Sequence, residues 1–214
     1  MNFASTLDPF ESALPHSFDA PEWESPLELA HPGPIPSRLE EQAGLTLAAL
    51  GRDALVWIDA FQQQGQGPVD AERPDGFLEF VIALSRDGVV LSMARFERAL
   101  SIARAAQSYD DTEPTVRLGE RLRMHPAASV VDLPGPAEEV IGAVALGMSP
   151  PAYSGWPVLV APGLPTLWRQ ATPFEDALCT WLTRPRDTAE IREHFVGAER
   201  VLQRLLAARA IVDA

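Results

Sequence analysis

Histidine and cysteine are the side chains that most readily hold a metal or move a proton near neutral pH, and the chain has four of the first and one of the second. His16, His31, His125 and His194 are scattered, with no imidazole three or four residues from another and no second thiol to complete a clamp. A metal site built from this chain is therefore not expected. Cys179 falls in the helical pattern of Phe174, Ala177, Leu178, Trp181 and Leu182, so it reads as a small buried apolar group rather than a reactive thiol. His31 lies in the loop-forming run His31-Pro32-Gly33-Pro34, and His194 falls late in a helix, where positive charge is favoured. His125-Pro126 closes a strand-like segment and places its imidazole at a sheet edge, without a nucleophile beside it. No serine sits in a Gly-x-Ser-x-Gly elbow, and a chain without lysine cannot carry a Walker lysine. The adjacent acids Glu40-Glu41 and Glu138-Glu139 would point about a hundred degrees apart on a helix, which makes them solvated faces rather than an acid and base pair. A protein without catalytic residues of its own is the expectation.

The segments that could position a binding function lie near the carboxyl end. Pro157 to Val160 and Pro165 to Arg169 read as two strands separated by the breaker Pro162-Gly163. Thr172-Pro173-Phe174-Glu175 is a capping box with proline at the first helical position, and Asp187-Thr188-Ala189-Glu190 repeats the logic. A third helix, from about Ala198 to Arg209, puts Val201, Leu202, Leu205 and Leu206 on a core stripe and leaves Arg200, Gln203 and Arg204 on its other side. Upstream, Thr115 to Leu118, Leu122 to His125 and Ser129 to Leu133 are strand-like, while Glu138 to Leu146 suits either helix or strand.

Residues 37–112 read as a helical domain. Ser37-Arg38-Leu39-Glu40 opens it as a capping box, and Leu39, Ala43, Leu47 and Leu50 follow at helical spacing as far as Gly51. Ala54, Trp57, Ile58 and Phe61 continue the pattern, and Gly65 to Pro68 and Pro74-Asp75-Gly76 bracket a loop. Phe77 to Ser85 is apolar on nearly every side, Asp87-Gly88 stops it, and Ser92 to Gln107 forms the last helix, with Met93, Phe96, Leu100 and Ala103 inward. The polar stretch Tyr109 to Pro114 marks the boundary with residues 113–214.

The formal charge is −13, with every basic residue an arginine. Residues 1–42 carry eight acids against Arg38 alone, and residues 1–36, which hold seven of the 20 prolines, read as an extended acidic arm. A field of this sign repels nucleic acid. No stretch approaches the roughly 20 apolar residues needed to cross a bilayer, so a cytoplasmic protein without a membrane partner is expected.

Asp75-Gly76-Phe77-Leu78-Glu79-Phe80, Met93 to Leu100, Leu122-Arg123-Met124-His125-Pro126, Val158-Leu159-Val160 with Leu167-Trp168-Arg169, Glu175-Asp176-Ala177-Leu178 and the leucine-rich last helix occur here in an order that resembles the partner proteins of multinuclear non-haem iron-dependent oxidative enzymes. Those partners act in the biosynthesis of ribosomally made, post-translationally modified peptides. The likeness runs from Asp75 to the end, while the aromatic-Arg-Asn-Asn signature of longer members is missing. It implies an α+β protein: a helical enzyme-docking domain, and a winged-helix-like recognition element of three strands and three helices.

By the resemblance, a precursor peptide adds as a strand to the edge Thr166, Leu167, Trp168, Arg169 and Gln170, in a groove completed by Arg200, Gln203, Arg204 and Ala207. Arg169, Arg200 and Arg204 would be local positive points for an acidic leader segment. The resemblance implies a heterodimer in which iron belongs to the partner and this chain carries no cofactor. Two other readings stay open. A winged-helix regulator or adaptor could use Arg200 and Arg204, although residues 173–214 hold seven acids against six arginines, unlike a DNA-reading module. A small enzyme using His125 is the third.

Overall fold

The computed structural model describes residues 37–66, 74–109, 118–150 and 155–214; the arm expected over residues 1–36 lies outside them. Helix α1 (Ser37–Leu50) starts at Ser37 and buries Leu39, Ala43, Leu47 and Leu50. It bends at Ala43, whose φ of −128° and ψ of 23° leave the helical region. Gly51 takes φ 56°, a conformation that glycine adopts without a Cβ penalty. The chain then passes through a 3-10 turn into α2 (Ala54–Phe61), which ends in a π turn over Gln62–Gln66. Helix α3 is Pro74–Leu84, so Pro74-Asp75-Gly76, expected as loop, is its first turn. Proline is tolerated there because a helix's first N–H groups have no internal acceptor. The Phe77 segment, apolar on nearly every side, is only partly enclosed by its neighbours: Phe77, Leu78, Phe80 and Val81 are buried, but Glu79 and Leu84 face solvent. Asp87 does separate two helices. Its Oδ1 accepts from the N–H groups of Val89 and Val90 (2.8 and 3.1 Å) and caps α4 (Gly88–Tyr109), which starts a turn before the expected Ser92.

The remaining elements are β1 (Arg121–Met124), β2 (Ser129–Leu133), α5 (Ala137–Ala145), β3 (Trp156–Val160), β4 (Trp168–Gln170), α6 (Pro173–Trp181), β5 (Arg186–Asp187), α7 (Thr188–His194), α8 (Glu199–Ala207) and β6 (Ile211–Asp213). They form two antiparallel three-stranded sheets, in the orders β2-β3-β4 and β5-β1-β6. The architecture is α+β. Leu118 lies outside any strand, and the rest of the strand expected from Thr115 is outside the described residues. The strand expected from Pro165 begins only at Trp168, because Leu164 to Leu167 is a turn. Leu164 N–H donates to the Ala161 carbonyl, Leu167 N–H donates to the Leu164 carbonyl, and Leu167 adopts φ 63°. The second expected capping box is absent. Asp187 precedes α7 without a side-chain cap, its carboxylate pairing with Arg121 (3.2 Å), while Thr188 Oγ1 donates to the Gly119 carbonyl (2.6 Å).

The β2-β3-β4 sheet is covered on both faces. Val131, Leu133, Val158, Val160 and Leu167 pack with Met93, Phe96, Ala99 and Ala103 of α4, whereas Leu159, Ala161 and Ala171 join Leu178 of α6, Leu182 just after it, and Leu202, Leu205 and Leu206 of α8. Successive residues of a strand point to opposite faces, so one apolar run feeds two cores. A third core lies among α1, α2, α3 and the start of α4. The described residues fall within one compact unit, and the core on α4 crosses the boundary expected near residue 112. Among the described residues no helix is long and apolar enough to cross a membrane.

The β3–β4 turn is fastened to α8 at Gly163, whose N–H donates to the Ala208 carbonyl (3.0 Å). A Cβ at this position would lie 2.6 Å from the Ala208 carbonyl carbon and 3.0 Å from the Ala207 oxygen, both backbone atoms that cannot rotate away. Gly163→Ala is expected to destabilise the protein by about 2 kcal/mol, in the usual range for overpacking, read as a lowered urea midpoint with unchanged slope.

Candidate functional site

Backbone parity decides which groups the sheet leaves unpaired. Ala161 N–H donates to the Leu167 carbonyl and Ala171 N–H to the Pro157 carbonyl (2.9 Å each), so the odd-numbered residues of β3 face β4 and Trp156, Val158 and Val160 face β2. At the β4 edge, the N–H and C=O groups of Trp168 and Gln170 therefore point away from the sheet. Local side chains already hold both outward carbonyls: Thr166 Oγ1 donates to Trp168 O (2.6 Å) and Arg169 Nη1 to Gln170 O (2.9 Å). The two outward N–H groups have no acceptor among the described residues.

Of the five residues expected to receive a peptide, only Trp168, Arg169 and Gln170 form the strand. Thr166 is in the turn, and Leu167 is buried by its left-handed backbone, which turns the side chain into the core on α4. Trp168 packs edge-on against Phe96 of α4, with ring centroids 5.8 Å apart. Such a pair is worth about 1 kcal/mol beyond its buried area. Arg200, Gln203, Arg204 and Ala207 are all exposed on α8, as their helical spacing predicts, whereas Val201 is only half-buried.

The two groups of residues meet through Glu175, on the first turn of α6. Thr172 caps that helix as its sequence predicts: Glu175 N–H donates to Thr172 Oγ1, and Thr172 N–H donates back to the Glu175 carboxylate (2.9 Å). The structure adds what the motif does not announce. Arg169 donates to both Glu175 oxygens (2.7 and 2.9 Å), and Arg204 Nη2 lies 3.3 Å from Oε1. The Glu175 side chain is 1% exposed, against 32% for Arg169 and 59% for Arg204. Burial alone would push its carboxyl up; the Arg169 hydrogen bonds, the Thr172 N–H and the charges of Arg169 and Arg204 together outweigh that and hold it at about 2. Arg169 and Arg204 thus share a buried anion, so two of the three expected positive points are already partnered. Arg200 makes no ion pair among the described residues.

The remaining candidates have structural surroundings. His125 does not stand at a sheet edge: it follows β1, the middle strand of its sheet, and its Nδ1 accepts from Ala127 N–H (3.0 Å) to fold the following turn. His194 ends α7 and stacks on Trp181 at 5.1 Å. Cys179 is buried, and burial, with the charges of Glu175 and Asp176, pushes its thiol up to about 12. His16 and His31 lie outside the described residues. Among the described residues no three His, Cys, Asp or Glu side chains converge.

A second buried carboxylate, Glu97 of α4, is one that the sequence pattern passes over. It accepts from Leu45 N–H (2.7 Å), Thr46 N–H (2.8 Å) and Thr46 Oγ1 (2.6 Å). Its signal in the sequence is an acid four residues after Met93, inside an inward-facing stripe. No known protein family matches this sequence, and none of the curated proteins is significantly similar to it.

Proposed function

We propose that this protein is a non-catalytic subunit that holds a ribosomally made precursor peptide as an added strand on β4 and presents it to an iron-dependent oxidative enzyme. The observation that carries the reading is an edge strand with two outward N–H donors, linked through Arg169, Glu175 and Arg204 to an exposed helix face that bears Arg200, Gln203, Arg204 and Ala207. An extended chain satisfies its own backbone by pairing with such an edge, and side chains on the neighbouring helix choose among sequences. The order of three strands β2, β3 and β4 followed by α6, α7 and α8 supports a winged-helix-like recognition element. On this reading the incoming strand displaces Thr166 Oγ1 and Arg169 Nη1 from the Trp168 and Gln170 carbonyls. Arg169 stays on Glu175, leaving Arg200 and the exposed side of Arg204 for an acidic leader. Metal chemistry belongs to the partner, and tethering raises the local concentration of substrate at its active site.

The test begins with the genes beside this one, where a short peptide gene and an iron-enzyme gene are expected and the lack of both would count against the reading, and continues with a binding titration of that peptide and co-purification of that enzyme. Gln170→Pro removes an outward N–H without breaking a ladder bond, together with the Gln170 Nε2 donation to the Pro157 carbonyl (2.7 Å), and Arg200→Glu reverses a charge that has no ion-pair partner among the described residues. Each is expected to weaken peptide binding by about tenfold, or 1.4 kcal/mol, with the enzyme still co-purifying. Unchanged dissociation constants for both variants would exclude β4 as the receiving edge.

A further inference from the structure

Among the described residues the same sheet has a second unpaired edge, at β2, and it differs from β4 in what flanks it. Parity directs the backbone N–H and C=O groups of Val130 and Asp132 outward, and among the described residues none of the four has a hydrogen-bond partner. Among the described residues no side chain caps these carbonyls as Thr166 and Arg169 cap those of β4. A groove of about 480 Å³ runs along this edge, with α4 as its far wall, where Arg95, Arg98, Ala99 and Ile102 face Ser129 to Asp132. Arg98 is shared with Glu79 (2.6 Å), both side chains being well exposed. Arg95 is exposed and makes no ion pair with a described residue. On the sheet's opposite face Asp132 approaches Asp176 of α6; burial and then the Asp132 charge push the Asp176 carboxyl up.

We infer that the β2 edge binds an extended peptide segment as a further strand, one that alternates acidic with basic or neutral side chains. A strand laid beside β2 finds donors and acceptors from Val130 and Asp132 at the spacing of an antiparallel or parallel ladder. Its side chains then fall in two rows. One row meets Arg95 and Arg98 on α4 and favours Glu or Asp; the other meets Asp132 and Asp176 and favours Lys, Arg or Thr. Charge complementarity therefore specifies a two-faced segment, in a protein whose overall charge of −13 would otherwise repel acids. The site lies across the sheet from β4 and stands whether or not β4 receives a precursor peptide.

The test uses a fluorescein-labelled synthetic peptide, Val-Lys-Glu-Thr-Val-Lys-Glu-Thr, titrated with the full chain at low salt and read by fluorescence anisotropy. Saturable binding below about 1 mM is expected, weakened about tenfold by Arg95→Glu, and several-fold when the probe's Glu is replaced by Gln. Asp132→Pro, which deletes an outward N–H at an exposed position, is expected to weaken binding about tenfold; Asp132→Asn, which keeps the N–H and removes only the charge facing the probe's Lys, weakens it several-fold, while Gln170→Pro leaves it within about twofold. Absence of saturation with the unsubstituted protein, wild-type affinity in both Arg95→Glu and Asp132→Pro, or loss of binding in Gln170→Pro alone would each overturn the assignment. Arg95 is exposed on α4, so its variant reports on binding even if proline at Asp132 lowers stability.

Discussion

Glu175→Ala is expected to lower the unfolding free energy by about 4 kcal/mol at neutral pH, measured by urea denaturation. Two losses combine. Truncation removes the reciprocal half of the α6 capping box, a loss of about 1 kcal/mol. It also leaves Arg169, 32% exposed and doubly bonded to Glu175, with its partner gone, and breaking a buried pair from one side costs roughly 3–5 kcal/mol when the remaining charge is fully enclosed. Partial access of water to Arg169 places the sum toward the lower end. Arg204→Ala tests the other contact. Arg204 is mostly exposed, so solvent screens the pair, and its loss is expected to be under about 1 kcal/mol. A Glu175→Ala variant within about 1 kcal/mol of wild type would mean that the carboxylate's burial cancels its bonds.

The same carboxylate fixes a pH dependence with a definite sign. Its folded pKa of about 2 is below the ordinary 4.5, so the unfolded chain binds the extra proton first as pH falls. The stabilisation is complete above about pH 5 and is lost as pH drops through 4.5 towards 2. The difference in stability between wild type and Glu175→Gln should therefore shrink across that window, by about 2–3 kcal/mol. Peptide binding at β4 would weaken in parallel if it depends on Arg169 being held in place.

The contrast between Glu175 and its partners shows where sequence reading reaches. The cap of α6 is a three-residue relation, Thr172 with Glu175, and local geometry allows one outcome once proline fixes the first helical position. The strand Ser129–Leu133 and the exposed arginine side of α8 are legible for the same reason, since each is a period within one element. Arg204 joining Glu175 is different, because that contact depends on how α8 crosses α6, which no spacing along the chain encodes. Strands of two or three residues, such as β5 and β6, are too short to display alternation. Leu167 defeats the strand reading for another reason. Its side chain belongs to the core, and the chain reaches that position only by taking φ 63°, which propensity weighs against any leucine. The order β2-β3-β4 decides which backbone groups stay open, and so both candidate edges appear only once the strands are paired.

Glu97→Ala should be nearly as costly as Glu175→Ala, for a reason that begins in α1. The bend at Ala43 interrupts the helix, so the residues after it resemble a fresh N-terminus whose N–H groups lack acceptors within the helix. Leu45 and Thr46 find theirs in Glu97 of α4, across a separation of 52 and 51 residues. Thr46 is fully buried, and its hydroxyl donates to the same carboxylate at 2.6 Å. Burial pushes the Glu97 carboxyl up, and the three hydrogen bonds pull it back without offsetting burial, so this group opposes Glu175 in sign. Burial makes the charged form the costlier one, so the group's contribution falls as pH rises through its raised value. Alanine leaves two backbone donors and a hydroxyl without a partner inside the α1–α4 contact, and buried unmet groups cost about 1–3 kcal/mol each. Because a water can enter the space that the side chain vacates, the net loss is expected at about 3 kcal/mol, seen as a lower denaturation midpoint. Glu97→Gln keeps one acceptor but turns an amide donor towards other donors, so it should recover less than half of that loss. Full recovery by glutamine would show that volume, rather than the accepted hydrogen bonds, holds α1 against α4.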